Sequence, residues 1–160
     1  GEAPDITASS SSLRSSTAPP LLRSRLSDSD PMHALNWASI ENPSGERTTP
    51  TIQNQGLCGA CWAYVAVATT TAAVHIDSGS APTSLSVQEL IDCDTQNDRG
   101  CMGGNPLFAF GYIFLNGLVA ESAYPLNYGI DQNRERETCR RFGPVPPAVA
   151  HIDAFAAVRR

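Results

Sequence analysis

Residues Asn54 to Tyr64 read Asn-Gln-Gly-Leu-Cys-Gly-Ala-Cys-Trp-Ala-Tyr, and this stretch decides the fold of the chain. A run of small and apolar residues continues from Ala63 to Val74 with the i, i+3, i+4 spacing of a buried helix. The pattern predicts that Cys61 lies in the first turn of that helix. There the unpaired backbone N–H groups and the positive end of the helix dipole favour a thiolate over a thiol. The stretch therefore indicates a nucleophilic cysteine.

A Cys-x-x-Cys pair also has two other common interpretations. A thioredoxin-like redox pair follows a strand in a βαβ unit, whereas here a loop of Pro, Thr and Gln at 48–53 comes first. A zinc site needs a second pair at compatible spacing, and Cys93 and Cys101 are eight residues apart. Both interpretations are weaker than the nucleophile, and we predict no metal and no cofactor.

Residues 55–64 resemble the active-site signature of the papain-family cysteine peptidases, Gln-Gly-x-Cys-Gly-x-Cys-Trp-Ala-aromatic. The resemblance implies that Cys61 attacks the scissile carbonyl and that Gln55 donates a hydrogen bond to the resulting oxyanion. The backbone N–H of the nucleophile is the second donor that such a site needs. The implied activity is hydrolysis of peptide bonds through a thioester on Cys61.

The segment from Ser84 to Cys93 is similar to the Leu-Ser-x-Gln-Glu-Leu-x-Asp-Cys of the same family. Ser86 and Glu89 have the spacing of a capping box, which begins a helix. In that motif the Ser86 hydroxyl accepts from the Glu89 N–H while the Glu89 carboxylate reaches back. The sequence therefore predicts a short second helix.

The segment from Gly100 to Pro106 is similar to the Gly-Cys-x-Gly-Gly of the family. The resemblance implies that Gly103 and Gly104 bind substrate backbone and that Pro106 helps to form the pocket for the side chain two residues before the cut. An isolated Gly-Gly pair is more typical of an ordinary turn. Pro106 also suits the first position of a third helix over 107–115, which the Asn-Gly pair at 116–117 would end.

Five cysteines are an odd number, and spacing does not say which of them are bridged. The resemblance implies two disulfides, Cys58–Cys101 and Cys93–Cys139, with Cys61 left as the free thiol. Disulfides imply an oxidising compartment such as the secretory pathway, a lysosome or vacuole, or the extracellular space. Five reduced, buried cysteines in a cytosolic chain are the alternative.

The resemblance extends from Trp37 to Phe155 and implies an α+β, papain-like fold. Most of the chain would form the helical left domain, with the beginning of the β-rich right domain. We expect residues 1–30, which are rich in Ser, Thr and Pro, to be a disordered or extended tail. Residues 31–145 would be the left domain, and 146–160 the truncated start of a right-domain strand.

A cysteine nucleophile of this type uses a histidine base and an asparagine about 130 to 150 positions downstream, which here lies beyond Arg160. We predict that His33 and His151 are surface or strand residues and that His75 ends the first helix. Two alternative hypotheses about function follow. The chain is the nucleophile-bearing part of a peptidase that acts on polypeptides once a segment with His and Asn completes it. Alternatively, it is a catalytically incompetent accessory subunit whose exposed left-domain face is covered by a protein partner.

Charge and hydropathy exclude other classes of function. The formal net charge is −5 and the sequence pI is about 5.0, which disfavours nucleic-acid binding. No run of apolar residues is long enough to predict a membrane span.

Overall fold

The computed structural model describes residues 36–79, 83–127, 137–141, 143 and 147–157. Within them lie three α-helices: α1 (Cys61–Ser78), α2 (Val87–Cys93) and α3 (Pro106–Asn116). A 3-10 turn, Gly100–Met102, precedes α3. The β pairing among these residues consists of two isolated antiparallel bridges, Leu85–Ala120 and Leu118–Ala150. The described part of the chain is thus mainly helical. The predicted tail 1–30 and His33 lie outside the described residues.

Helix α1 begins at Cys61, as the sequence predicts, and ends before Gly79, whose φ of 67° is left-handed. It packs against both α2 and α3, and the small side chains of Ala63 and Ala66 are fully buried. Because these side chains are short, the three helices can approach closely. The core contains the following buried residues: Trp62, Ala63, Ala66, Val67, Leu90, Ile91, Ala109, Ile113 and Leu118.

Helix α2 confirms one half of the predicted capping box and corrects the other. The Ser86 hydroxyl accepts from the Glu89 N–H at 3.0 Å. The Glu89 carboxylate does not reach back, because it accepts from the Val119 N–H at 2.8 Å and pairs with Arg141. The Ser86 N–H instead donates to the Val119 carbonyl at 3.0 Å. Glu89 is fully buried, so its carboxylate is used for a tertiary contact.

Helix α3 runs from Pro106 to Asn116, one residue longer at each end than the predicted 107–115. The Asn105 side chain caps it by accepting from the Leu107 N–H at 2.9 Å. Proline at the first helical position loses no intrahelical hydrogen bond, since that N–H has no acceptor within the helix. The residue pair Asn105-Pro106 therefore determines where the helix begins, directly after Gly104.

The segment 147–157 lies along α3. The Leu118 N–H donates to the Ala150 carbonyl at 2.9 Å. A strand was predicted at 146–160, and among its described residues the β pairing consists of this isolated bridge. The Phe155 ring packs against the rings of Phe110 and Phe114, with centroid distances of 6.2 and 6.3 Å. His151 is exposed next to the bridge, as expected for a surface residue.

Candidate active site

Cys61 is the first residue of α1, and its side chain is exposed to solvent. It is the free thiol of the chain, since the other four cysteines form disulfides. The N–H groups in the first turn of a helix have no intrahelical acceptor, and they carry the positive end of the helix dipole. The structure thus places an accessible sulfur at the N-terminal end of α1.

The loop before Cys61 is joined to the turn before α3. A disulfide links Cys58 to Cys101, and the Gly59 N–H donates to the Cys101 carbonyl at 2.9 Å. A Cβ atom on residue 59 would lie 2.7 Å from that same oxygen. Glycine is therefore required at this close approach of two backbones. The disulfide also removes the redox-pair and zinc interpretations of Cys58 and Cys61, and the described residues contain no cluster able to hold a metal ion.

Trp62, the residue after Cys61, connects α1 to the Gly-Gly segment. The indole Nε1 donates to the Gly100 carbonyl at 3.1 Å, and the ring is almost completely buried. A Cβ atom on Gly104 would lie 2.7 Å from the indole Cδ2, so the ring packs directly on this backbone. The residue next to Cys61 therefore supports the backbone that the resemblance assigns to substrate.

Asp98 supports the same segment and was missed by sequence reasoning. Its carboxylate Oδ1 accepts from the Asn105 N–H at 2.6 Å and also lies against the Cα of Gly104. Gly103 has a φ of 102°, which favours glycine, while Gly104 is exposed. A single aspartate in a polar loop has no pattern that distinguishes it, because its partner is a backbone N–H seven residues away.

Gln55 lies in the same loop as the disulfide. Its side-chain Nε2 donates to the Cys58 carbonyl at 2.8 Å. An amide nitrogen has two N–H groups, so this bond fixes the orientation of the amide and leaves the second N–H for another acceptor. The preceding Asn54 side chain accepts from the Gly56 N–H at 2.8 Å and shapes the turn. The structure thus holds Gln55 in the loop before α1, six residues before Cys61.

A groove of about 650 Å³ runs beside Gln55 along the exposed side of α1. Val65 and Ala68, one and two turns after Cys61, form its helical wall, and Ile52 lies on the opposite side. Ile52 is 96% exposed and Val65 is 51% exposed. None of the residues that line the groove is charged. This surface beside Gln55 and α1 is therefore uncharged and exposes two large apolar side chains; we call it the α1 groove.

Neither described histidine lies at Cys61. His75 is in the last turn of α1, about 20 Å along the helix from Cys61 at 1.5 Å per residue. It is buried, and its Nε2 is 3.5 Å from a carboxylate oxygen of Glu46. His151 lies against Gly117 at the far end of α3. Among the described residues, the free thiol of Cys61 therefore has no histidine beside it.

The sequence profile described as papain family cysteine protease matches residues 36–160. The chain belongs to this family. The barley (Hordeum vulgare) cysteine proteinase EP-B 1 is 37% identical over 145 residues, which cover 89% of this chain and 36% of the barley protein. The chain thus spans about a third of the length of this relative.

Solved structures agree with this assignment. A cysteine protease of Carica candamarcensis in complex with E-64 is 34% identical and has a TM-score of 0.53, over 66% of this chain and 46% of that one. The bromelain protease of Ananas comosus in complex with the E64 inhibitor is 34% identical with a TM-score of 0.55, over 66% of this chain and 45% of that one. The papain-like fold predicted from the sequence is therefore confirmed.

The two disulfides also have the pairing that the family resemblance implies, Cys58–Cys101 and Cys93–Cys139. Paired cysteines indicate an oxidising compartment. Among the described residues, no helix of this papain-family chain is long and apolar enough to cross a membrane.

Proposed function

We propose that this chain carries the nucleophile and one substrate-binding wall of a cysteine peptidase that hydrolyses polypeptides through a Cys61 thioester. The observation that carries the proposal is the free, exposed Cys61 at the first position of α1, in a loop fixed by Gln55 and by the Cys58–Cys101 disulfide. An accessible sulfur at a helix N-terminus is a favourable place for a thiolate.

The chemistry requires a donor for each developing charge. The Cys61 thiolate attacks the carbonyl carbon of the scissile peptide bond, and the carbonyl oxygen becomes an oxyanion. The second N–H of Gln55 and the backbone N–H of Cys61 are the donors we assign to it. The C–N bond then breaks, and the amine leaves with a proton from a histidine. Water hydrolyses the thioester, releasing the carboxylic acid and restoring the thiol.

We assign the binding of the substrate backbone to Gly103 and Gly104. Gly104 is exposed on one side and supported on the other by Trp62 and Asp98. A backbone without side chains lets an extended peptide approach closely enough for main-chain hydrogen bonds. Pro106, half-buried at the start of α3, is adjacent and would contribute one wall of a side-chain pocket.

The histidine base and its asparagine come from outside the described residues, and we propose that the segment carrying them lies in the α1 groove. Two observations support this location. The groove is uncharged and exposes Ile52 and Val65, which suits a surface that packs against another folded part. Its helical wall, Val65 and Ala68, also lies four and seven residues after Cys61, on the same side of α1 as Cys61. The disulfides support a secretory, lysosomal, vacuolar or extracellular location.

The direct test is reaction with E-64, followed by intact-mass measurement. The protein is isolated from its natural source, so that any segment covering the α1 groove is present. We expect one covalent adduct, mapped to Cys61. A recombinant Cys61→Ala variant is the control and should remain unmodified. An unmodified Cys61 in the natural preparation would contradict the peptidase and would support the accessory subunit instead.

The role of Gln55 is tested in a recombinant preparation that hydrolyses a fluorogenic peptide amide. Gln55→Ala should lower kcat by about 10²- to 10³-fold, the usual effect of removing one oxyanion donor. Gln96→Ala is the matched control, because it removes the same amide at an exposed position that does not line the α1 groove. Equal rates for the two variants would exclude Gln55 as an oxyanion donor.

A further inference from the structure

The backbone of Gly104 has two unpaired polar groups. Gly104 is exposed, and among the described residues neither its N–H nor its carbonyl has a hydrogen-bond partner. The described part of the chain contains no cis peptide bond. In a planar trans peptide group the carbonyl and the N–H point in opposite directions. The direction of each polar group of Gly104 is therefore set by whatever binds the other end of the same peptide group.

The other ends of these two peptide groups are bound by one short segment, Asp98-Arg99. The Gly103 carbonyl accepts from the Arg99 N–H at 2.9 Å. The Asn105 N–H donates to the Asp98 carboxylate Oδ1 at 2.6 Å. Both peptide groups next to Gly104 are thus held from one side, so the N–H and the carbonyl of Gly104 point to the other side.

The Asp98 side chain is fixed in the position that this arrangement requires. Asp98 is 1% exposed. Its carboxylate carbon lies 2.8 Å from where a Cβ of Gly104 would be, so the carboxylate packs directly on the glycine backbone. The residue it binds is also fixed, because the Asn105 side chain caps α3 by accepting from the Leu107 N–H. The peptide group between Gly104 and Asn105 is therefore held at both of its ends.

We propose that Asp98 is a positioning residue for substrate binding. By accepting from the Asn105 N–H, its carboxylate turns the Gly104 carbonyl toward an incoming peptide, and the Arg99 N–H does the same for the Gly104 N–H. An N–H and a carbonyl of one residue on the same side can exchange two hydrogen bonds with one residue of an antiparallel strand. The inference rests on the proposed function, and it adds that the backbone N–H of the substrate residue opposite Gly104 contributes to binding.

The test uses a recombinant preparation that hydrolyses a fluorogenic peptide amide. Asp98→Leu removes the acceptor and should raise KM by about tenfold, while kcat changes by less than about twofold, because the bonds to Gly104 form before the chemical step and persist through it. Asp98→Asn keeps an Oδ1 acceptor, so its KM should stay within about twofold of the unmodified protein. Asp77→Leu, at an exposed position near the end of α1, is the matched control and should change neither constant.

A series of peptides that are each N-methylated at one residue tests the same contact from the substrate side. In the unmodified protein, methylation at one position should raise KM by about tenfold, because it removes the N–H that the Gly104 carbonyl accepts. In Asp98→Leu the same methylation should raise KM by less than about threefold, since that bond is already weakened. If no single methylation raised KM in the unmodified protein, the proposal would be overturned.

Alkylation of Cys61 by iodoacetamide separates positioning from a merely structural role. This small reagent has no peptide chain, so its rate should be the same in Asp98→Leu and in the unmodified protein. A parallel fall in the alkylation rate and in kcat would overturn the proposal, because Asp98 would then only maintain the fold of the site. So would an Asp98→Asn variant whose KM is as high as that of Asp98→Leu. An unmodified protein that does not react with E-64 would instead contradict the proposed function, and this inference with it.

Discussion

Two regions of the molecule are each joined by a disulfide, and they are held in different ways. Cys58–Cys101 joins the Cys61 loop to the turn before α3, and Cys93–Cys139 joins α2 to the segment 137–141. The bridged residues are 43 and 46 positions apart, so the two disulfides close loops of nearly the same length. The difference between the regions therefore comes from what surrounds each disulfide.

Around Cys58–Cys101 the contacts depend mainly on shape. The Gly59 N–H meets the Cys101 carbonyl, and the Trp62 indole packs on Gly104. The first contact is a hydrogen bond to a backbone carbonyl, and the second is the packing of a ring against a glycine backbone. We therefore expect the geometry of the Cys61 loop to be sensitive to added atoms and insensitive to pH.

Around Cys93–Cys139 the contacts depend on ionisable side chains. Glu89 pairs with Arg141 at 2.8 Å and accepts from the Tyr112 hydroxyl at 3.1 Å. Asp92 accepts from the Tyr124 hydroxyl at 2.9 Å and from the backbone N–H of residue 137 at the same distance. Burial raises the pKa of Glu89, and it likewise raises the pKa values of Tyr112 and Tyr124. Ionisable side chains therefore make most of the contacts in this region, whereas Gly59 and Cys101 meet through backbone atoms.

The largest expected effect comes from breaking the buried ion pair. Glu89→Ala leaves the Arg141 guanidinium, the Tyr112 hydroxyl and the Val119 N–H without their common acceptor. We expect a loss of about 3–5 kcal/mol in the free energy of unfolding, measured by urea denaturation. Glu41→Ala, at an exposed position, should change it by less than about 0.5 kcal/mol. A loss below about 1 kcal/mol in Glu89→Ala would mean that the disulfide alone holds the segment 137–141.

A smaller effect is expected from adding a side chain at Gly59, where the Cys61 loop meets the Cys101 backbone. Gly59→Ala puts a Cβ 2.7 Å from the Cys101 carbonyl oxygen, and a backbone atom cannot move aside as a side chain can. We expect a loss of about 1–3 kcal/mol, with faster reduction of the neighbouring disulfide by dithiothreitol. Gly111→Ala is the control, because its Cβ meets an ordinary contact at 3.9 Å and alanine favours a helix. If both variants were equally stable, the Cys61 loop would be less tightly packed than described.

The smallest effect concerns pH. Because burial raises the pKa of Glu89 above its ordinary value of 4.5, the folded chain binds this proton more tightly than the unfolded chain does. The protonated carboxyl therefore stabilises the fold fully below pH 4.5, and this contribution is lost as the pH rises through the folded pKa. The free energy of unfolding of the unmodified chain minus that of Glu89→Gln should fall as the pH rises from 4.5 through the folded pKa, and then level off.

The same comparison can be made for the Cys61 loop. The free energy of unfolding of the unmodified chain minus that of Gly59→Ala should stay constant over the same pH range. The contacts of Gly59 involve no titrating group. Urea denaturation in steps of about half a pH unit would measure both. If the free-energy difference between the unmodified chain and Glu89→Gln increased with pH, the Arg141 charge and the Val119 N–H would lower the pKa of Glu89 by more than burial raises it.

Much of the site was predictable because its signals are local. The position of Cys61 follows from the apolar spacing after it, and the start of α3 follows from Asn105-Pro106. The disulfide pairing needed the family resemblance, because spacing alone does not relate Cys58 to Cys101. The partner of Glu89 was predicted wrongly, because a capping box is a local pattern whereas Val119 and Arg141 are distant in sequence. Asp98 was missed for the same reason.

The sequence alone was enough to predict the starts of α1 and α3, the signature around Cys61 and the family of the chain. These properties depend on neighbouring residues and on a contiguous signature. The tertiary structure was needed to show that Gly59 and Gly104 must lack side chains, that Glu89 is used for a distant contact, and that the α1 groove and the outer side of α3 remain exposed. Each of these depends on which atoms meet across distant segments, and local sequence patterns carry no information about those distances.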